Sequence, residues 1–116
     1  MRIDLKKMIP FLGREDFTEL IGLIKGTEDY NYKGITFTEI LPFLSHEQVD
    51  ELFFELAESG QDISSFYPFL SKNAYCTIVD EIINGNSKFD ADALYAFLPD
   101  NELHRLFVFA VQNAET

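Results

Sequence analysis

Apolar residues recur in four tandem repeats along the chain, each centred on a Phe-Leu dipeptide. The spacings between successive dipeptides are 32, 26 and 28 residues. The residue before each dipeptide is the reference position of its repeat, from which offsets are counted. These reference residues are Pro10, Pro42, Pro68 and Ala96. Self-similarity at such a period is typical of proteins built from stacked structural repeats.

The apolar positions of each repeat predict a short helix, a tight turn and a longer helix. Offsets +7, +10, +11 and +14 are apolar in all four repeats, which is the spacing of one helix face. Offsets −5, −2 and −1 are also apolar and mark the shorter helix before the dipeptide. Because its proline lacks a backbone donor, we expect this helix to be kinked or partly 3₁₀. Its predicted N-caps are Asp4, Thr36, Asp62 and Asp90.

Capping boxes are predicted at Thr36 with Glu39 and at Ser45 with Gln48. Neither helix of a repeat can bury its apolar stripe alone, so neighbouring repeats must stack. We therefore predict a single all-α domain over residues 1–116, either an α-solenoid or a compact superhelical bundle of helix-turn-helix repeats. The approximate repeat boundaries are 3–34, 35–60, 61–88 and 89–113.

The Pro-Phe-Leu-Ser sequence at 42–45 and 68–71 resembles a motif in short helical repeats of uncharacterised bacterial proteins. This resemblance implies a stacked two-helix fold and no particular activity. Repeat four departs from the motif, with Ala96 in place of proline and Pro99 in place of serine.

The net charge of −11 makes the chain a poor ligand for a phosphate backbone, so we expect no nucleic-acid binding. Seven acids and no Lys or Arg lie between Gly34 and Ser71. This acidic stretch is either a solvated surface or a docking surface for a basic protein partner. The longest apolar run is the six residues from Leu106 to Val111, so we expect no membrane span and a cytoplasmic protein.

No catalytic, metal or cofactor site is predicted. Residues 29–39 resemble a calcium loop, but Lys33 stands where a ligand oxygen is needed and Glu39 comes one residue early. A turn held by Asp29 and Asn31 is the better interpretation. His46, His104 and the only cysteine, Cys76, have no partners at metal-ligand spacing.

The predicted function is a non-enzymatic protein–protein interaction or scaffold module. Two alternatives are a small-ligand or enzyme site in the repeat groove and an acidic mimic of nucleic acid. The contacts are assigned to the acidic second helix of repeat two and to the tyrosines of the first linker. The predicted partner-binding residues are Tyr30, Tyr32, Glu47, Asp50, Glu51, Phe54, Glu55 and Glu58.

The last helix, predicted from about Asp100 to Asn113, is apolar nearly all round. Its expected core stripe is Leu103, Leu106, Phe107 and Ala110. Further apolar surface comes from Val108, Phe109 and Val111. A helix of this kind is normally buried. We therefore expect it to be either the central helix of a bundle or the core of a homodimer formed through Val108, Phe109 and Val111, and we favour the homodimer.

Overall fold

The computed structural model describes residues 3–85, 89 and 91–113. Its α-helices are α1 (Leu5–Met8), α2 (Arg14–Lys25), α3 (Phe37–Ile40), α4 (His46–Glu58), α5 (Lys72–Ile83), α6 (Ala91–Leu94) and α7 (Asp100–Asn113). Its 3₁₀ segments are Ile9–Phe11, Leu41–Phe43 and Ser64–Phe69. No β-strand occurs in these ranges, although Tyr32 and Ile35 form an isolated bridge. The prediction of an all-α protein is confirmed.

Each proline of the motif lies in a 3₁₀ segment. Pro10 and Pro42 occupy the first turn of their segments. A backbone amide in the first turn has no acceptor within the helix, so the missing hydrogen of proline costs no hydrogen bond there. Pro68 lies inside the third segment. The expectation of a kinked or partly 3₁₀ first helix is therefore confirmed for the first three repeats.

The predicted caps have mixed outcomes. The Asp4 carboxylate accepts a bond from the Lys6 amide and caps α1, and Ser45 with Gln48 forms the predicted capping box of α4. The box at Thr36 is wrong, because the Thr36 side chain makes no capping bond. Asp90 lies outside the described residues.

The molecule is elongated, with principal dimensions of 66 × 26 × 18 Å. Its Cα radius of gyration is 16.7 Å, whereas a compact domain of this length would have about 13 Å. The core runs along the long axis rather than around one centre. Its largest fully buried side chains are Phe53, Phe66, Ile24, Ile35, Ile40, Leu41, Ile78, Leu94, Val49 and Val79.

Helix α7 has the predicted bounds but is not a central helix. It packs against α5 and buries Glu102 and Leu106. Leu103 and Phe107 are 38% and 62% exposed, so the expectation that they belong to the core is wrong, as it is for Ala110. The reason is that these residues lie on the side of α7 away from α5, where no described element covers them.

Arg105 joins α7 to α5 through two carboxylates. Its guanidinium donates to Asp80 on α5 and, over 2.6 Å, to Glu102 Oε1 on its own helix. Both bonds raise the pKa of Arg105. The Glu102 side chain is only 8% exposed, so its carboxylate is largely shielded from water. An exposed counterpart joins α2 to α4, where Arg14 Nη2 donates to Glu47 Oε2 over 2.7 Å.

We predict that Arg105→Met lowers the free energy of unfolding by about 1–3 kcal/mol, because it leaves the buried Glu102 carboxylate without its cation. Arg14→Met removes only an exposed pair and should cost less than about 1 kcal/mol. Urea unfolding followed by circular dichroism measures both. Adding Glu102→Gln should restore part of the stability of Arg105→Met, since Gln48 occupies the same offset in α4. Equal losses in the two single variants would contradict this account.

Candidate functional site

The acidic residues of α4 differ in whether their carboxylates bind other parts of the chain. Asp50 is half-buried, and its two oxygens accept bonds from Ser71 N and Ser71 Oγ at 3.1 and 2.5 Å. It therefore helps to fix the first turn of α5. Burial and, to a lesser extent, the Asp50 charge also raise the pKa of Tyr75. The sequence could not show this role, because it depends on how two distant segments pack.

Glu47 and Glu55 join α4 to α2. Glu47 pairs with Arg14, and Glu55 Oε2 lies 2.8 Å from Lys25 Nζ. Glu51 stands on α4 between them and, within the described part of the chain, makes no hydrogen bond or ion pair. Glu58 is exposed near the C-terminal end of α4.

The aromatic residues assigned to partner binding are half-buried. Tyr30 packs on Phe37 with ring centroids 5.5 Å apart, and Tyr32 exchanges two backbone bonds with Ile35. Phe54 meets Phe53 with ring centroids 5.1 Å apart. All three therefore contribute to internal packing and present only part of their surface to a partner.

The first linker is the turn that the sequence suggests. Asn31 Oδ1 accepts a bond from Gly34 N at 2.7 Å, and Asp29 Oδ1 accepts one from Asn31 N at 3.3 Å. Among the described residues, no group of three or more His, Cys, Asp or Glu could hold a metal ion.

A groove between α2 and α4 brings Glu51 next to apolar surface. Ile21, Gly22 and Leu52 contribute its apolar part, and its volume is about 210 Å³. Its polar lining comes from Thr18, Lys25, Gln48, Glu51 and Glu55. The groove therefore combines the predicted acids with apolar residues that were not assigned to a site. The available signal was a glycine inside a helical pattern, at an offset where repeats two and four carry Phe54 and Val108.

Gly22 keeps this groove open. A Cβ atom built at Gly22 would meet nothing within 4 Å, so a side chain there would project into free space. Glycine in a helix interior is destabilising by roughly 0.5–1 kcal/mol relative to alanine. The helix thus gives up stability at a position that lines the groove.

Both ends of the elongated molecule carry a shallow groove with apolar lining. The groove at the N-terminal end holds about 250 Å³ and is lined by Leu5, Met8, Leu12, Asp16, Glu19, Leu20 and Leu23. The groove at the C-terminal end holds about 240 Å³ and is lined by Tyr95, Leu103, Leu106, Phe107 and Ala110. Of the residues assigned to self-association, Val108 and Val111 are exposed and Phe109 is half-buried.

Comparison with protein families, characterised proteins and solved structures finds no match to this chain. The resemblance to bacterial Pro-Phe-Leu-Ser repeats therefore remains an expectation from the sequence. None of the helices in the described part of the chain has the length and apolar character needed to cross a membrane.

We predict that Gly22→Ala raises the free energy of unfolding by about 0.5–1 kcal/mol, because it removes the entropy cost of a helical glycine without a clash. Gly60→Ala is the matched control. A Cβ atom at Gly60 also meets nothing within 4 Å, but its φ of 75° is unfavourable for a side chain. That variant should lose roughly 1–2 kcal/mol. Thermal and urea unfolding measure both, and a loss of stability in Gly22→Ala would show that the position tolerates no side chain.

Proposed function

We propose that this chain is a non-enzymatic protein-interaction module, a short linear array of its four repeats, that binds a basic segment of a partner protein in the groove between α2 and α4. The observation that carries the proposal is the combination in that groove of apolar lining, an open Gly22 and the carboxylate of Glu51, which has no partner among the described residues. The proposal places the protein in the cytoplasm, on the sequence grounds given above.

The array is supported by contacts between elements of successive repeats. Helix α4 of repeat two packs on the Ser64–Phe69 segment of repeat three, and α5 packs on α7 of repeat four. The Gln48 side chain of α4 donates to the Arg14 carbonyl and to Thr18 Oγ1 on α2, both at 3.1 Å. In stacked-repeat proteins, such nearest-neighbour contacts produce an extended surface that suits protein binding.

Charge determines which partner the groove favours. The chain has a net charge of −11, so it attracts basic segments and repels acidic ones before contact. Within the groove, Glu55 is already paired with Lys25, whereas Glu51 can accept a new cation. A partner segment with one apolar side chain between lysines or arginines would place the apolar group on Ile21 and Leu52 and a cation on Glu51.

The size of the groove argues against the small-ligand alternative. Ligand pockets usually enclose about 300–1,000 Å³, whereas this groove holds about 210 Å³ and is open to solvent. The nucleic-acid mimic needs a ridge of available carboxylates. On α4, Asp50 accepts bonds from Ser71, the N-cap of α5, while Glu47 and Glu55 are paired, which reduces the charge available for such a ridge.

The test is an NMR titration of the ¹⁵N-labelled chain with two short synthetic peptides. One peptide carries a central leucine flanked by lysines, and the other carries the same leucine flanked by glutamates. We predict that the lysine peptide shifts the amides of Thr18, Gly22, Glu51 and Leu52, and that the glutamate peptide does not.

Three variants make the assignment specific. Gly22→Leu should abolish the shifts by filling the groove, and Glu51→Lys should weaken binding by about tenfold or more through loss of a charge-assisted contact. Glu28→Lys, at an exposed linker position, makes the same change in net charge away from the groove. Equal weakening by Glu28→Lys and Glu51→Lys would mean that binding follows net charge alone and would contradict the site.

A further inference from the structure

Burial at equivalent offsets changes at the first repeat. At offset −2, Met8 of repeat one is 41% exposed, whereas its three equivalents are buried. Those equivalents are Ile40, Phe66 and Leu94. At offset +6, Asp16 is exposed while Gln48, Ala74 and Glu102 are buried. These two offsets mark the upstream face of a repeat, the side that packs on the preceding repeat.

A second set of offsets changes at the last repeat. At offset −1, Tyr95 of repeat four is 48% exposed, whereas Ile9, Leu41 and Tyr67 are buried. At offset +11, Phe107 is 62% exposed, whereas Phe53 and Val79 are fully buried and Ile21 is half-buried. Offset +11 marks the downstream face of a repeat, the side that packs on the following repeat, whereas Tyr67 at offset −1 also contacts Phe53 of the preceding repeat. The described residues therefore leave two open faces of the kinds that cover each other between neighbouring repeats.

We propose that these two faces bind each other in trans, so that molecules of this chain associate head to tail. The downstream face of repeat four docks on the upstream face of repeat one in a second molecule. The occupant of each open face is thus another copy of the same chain. This association uses the ends of the molecule and is independent of the groove between α2 and α4.

The internal aromatic contacts give the register of the junction. Phe53 at offset +11 packs on Phe66 at offset −2 of the next repeat, with ring centroids 6.1 Å apart. Continued in the same register, Phe107 meets Met8 of the second molecule. A methionine sulfur against an aromatic ring is a favourable contact.

A second aromatic contact extends the same register. Phe17 at offset +7 stacks on Phe43 at offset +1 of the next repeat, with ring centroids 6.5 Å apart. Its continuation places Leu103 on Phe11. Phe11 is 87% exposed in the single molecule, and this contact would account for an aromatic side chain at so open a position.

Two polar contacts between neighbouring repeats have complementary counterparts at the proposed junction between two molecules. Offset −4 meets offset −3 of the next repeat both in Lys6 with Glu39, at 3.7 Å, and in Thr38 with Ser65, at 3.4 Å. At the junction these offsets are occupied by Asp92 of one molecule and Lys7 of the next, which carry opposite charges.

The second complementary position uses offsets +8 and +6. Inside the molecule Gln48 donates to Thr18 across these offsets. At the junction the corresponding residues are His104 and Asp16, a ring that can donate and a carboxylate that accepts.

One position opposes the association. Arg14 at offset +4 pairs with Glu47 at offset +5 inside the molecule, but the junction places Asp100 beside Glu15. Together with the net charge of −11, this clash makes the association weak at low salt and stronger when salt screens the repulsion. Asp100→Arg should recreate the internal pair and strengthen association by about two- to fivefold.

Head-to-tail association differs from the twofold dimer that α7 alone suggests. In a twofold dimer the same patch on both molecules is used, so Met8 and Phe11 would stay uncovered. A head-to-tail contact uses two different patches and leaves each pair with one free face of each kind. It therefore grows beyond a dimer as concentration rises.

Analytical ultracentrifugation of the chain over a concentration series tests the proposal. The weight-average mass should rise from 13.4 kDa to values above that of a dimer. Phe11→Lys blocks one face and Phe107→Lys the other, at side chains exposed enough to leave the fold intact, which circular dichroism checks. Each variant alone should stay monomeric, and an equimolar mixture should form one-to-one pairs and nothing larger.

Other results of the ultracentrifugation experiment would contradict the proposal. If Phe11→Lys still dimerises while Phe107→Lys does not, the contact is a twofold one through α7 and the head-to-tail proposal is overturned. A wild-type chain that stays monomeric up to its solubility limit at high salt also overturns it. Asn73→Lys, at an exposed position of an internal repeat, should leave association unchanged. An Asp100→Arg variant that associates no better than wild type would contradict the register.

Discussion

The helices of each repeat are too short to bury their own apolar stripes, and the shape of the molecule follows from that constraint. Helices α1 and α3 have four residues each, and α7, the longest helix among the described residues, has 14. Isolated helices shorter than roughly 12–15 residues are marginal in water, so packing must supply their stability. Phe53 shows how this is done. It is fully buried because Phe66 and Tyr67 of the next repeat pack against it. A core assembled in this way extends along one direction, which explains the 66 Å length.

Local physical chemistry accounts for what the sequence could predict. The all-α fold, the 3₁₀ turns at Pro10 and Pro42, the capping box of Ser45 and the bounds of α7 depend on residues close together in the chain. The exposure of Phe107 could not be predicted in this way. It occupies the same offset as Phe53, yet one side chain is exposed and the other buried. Phe66 and Tyr67 pack on Phe53, whereas no described residue covers Phe107 in the same way, and the local pattern does not encode this difference.

Only part of the candidate site could be predicted, because the rest depends on how neighbouring repeats pack. The sequence identified the acids of α4 but could not separate Asp50, which fixes the first turn of α5, from Glu51, which remains open. It also gave no reason to join α4 to Gly22 on α2, since the groove exists only when repeats one and two pack together. Surfaces between repeats and at the ends of the array thus carry both proposals, and neither can be read from a single repeat.

The central claim is that the repeats stack in a line instead of closing into a bundle. Small-angle X-ray scattering tests it most directly, with the Phe107→Lys variant used so that single molecules are measured. The account predicts a radius of gyration close to the Cα value of 16.7 Å and a longest dimension near 66 Å. A radius of gyration of about 13 Å, the value for a compact domain of this length, would contradict it.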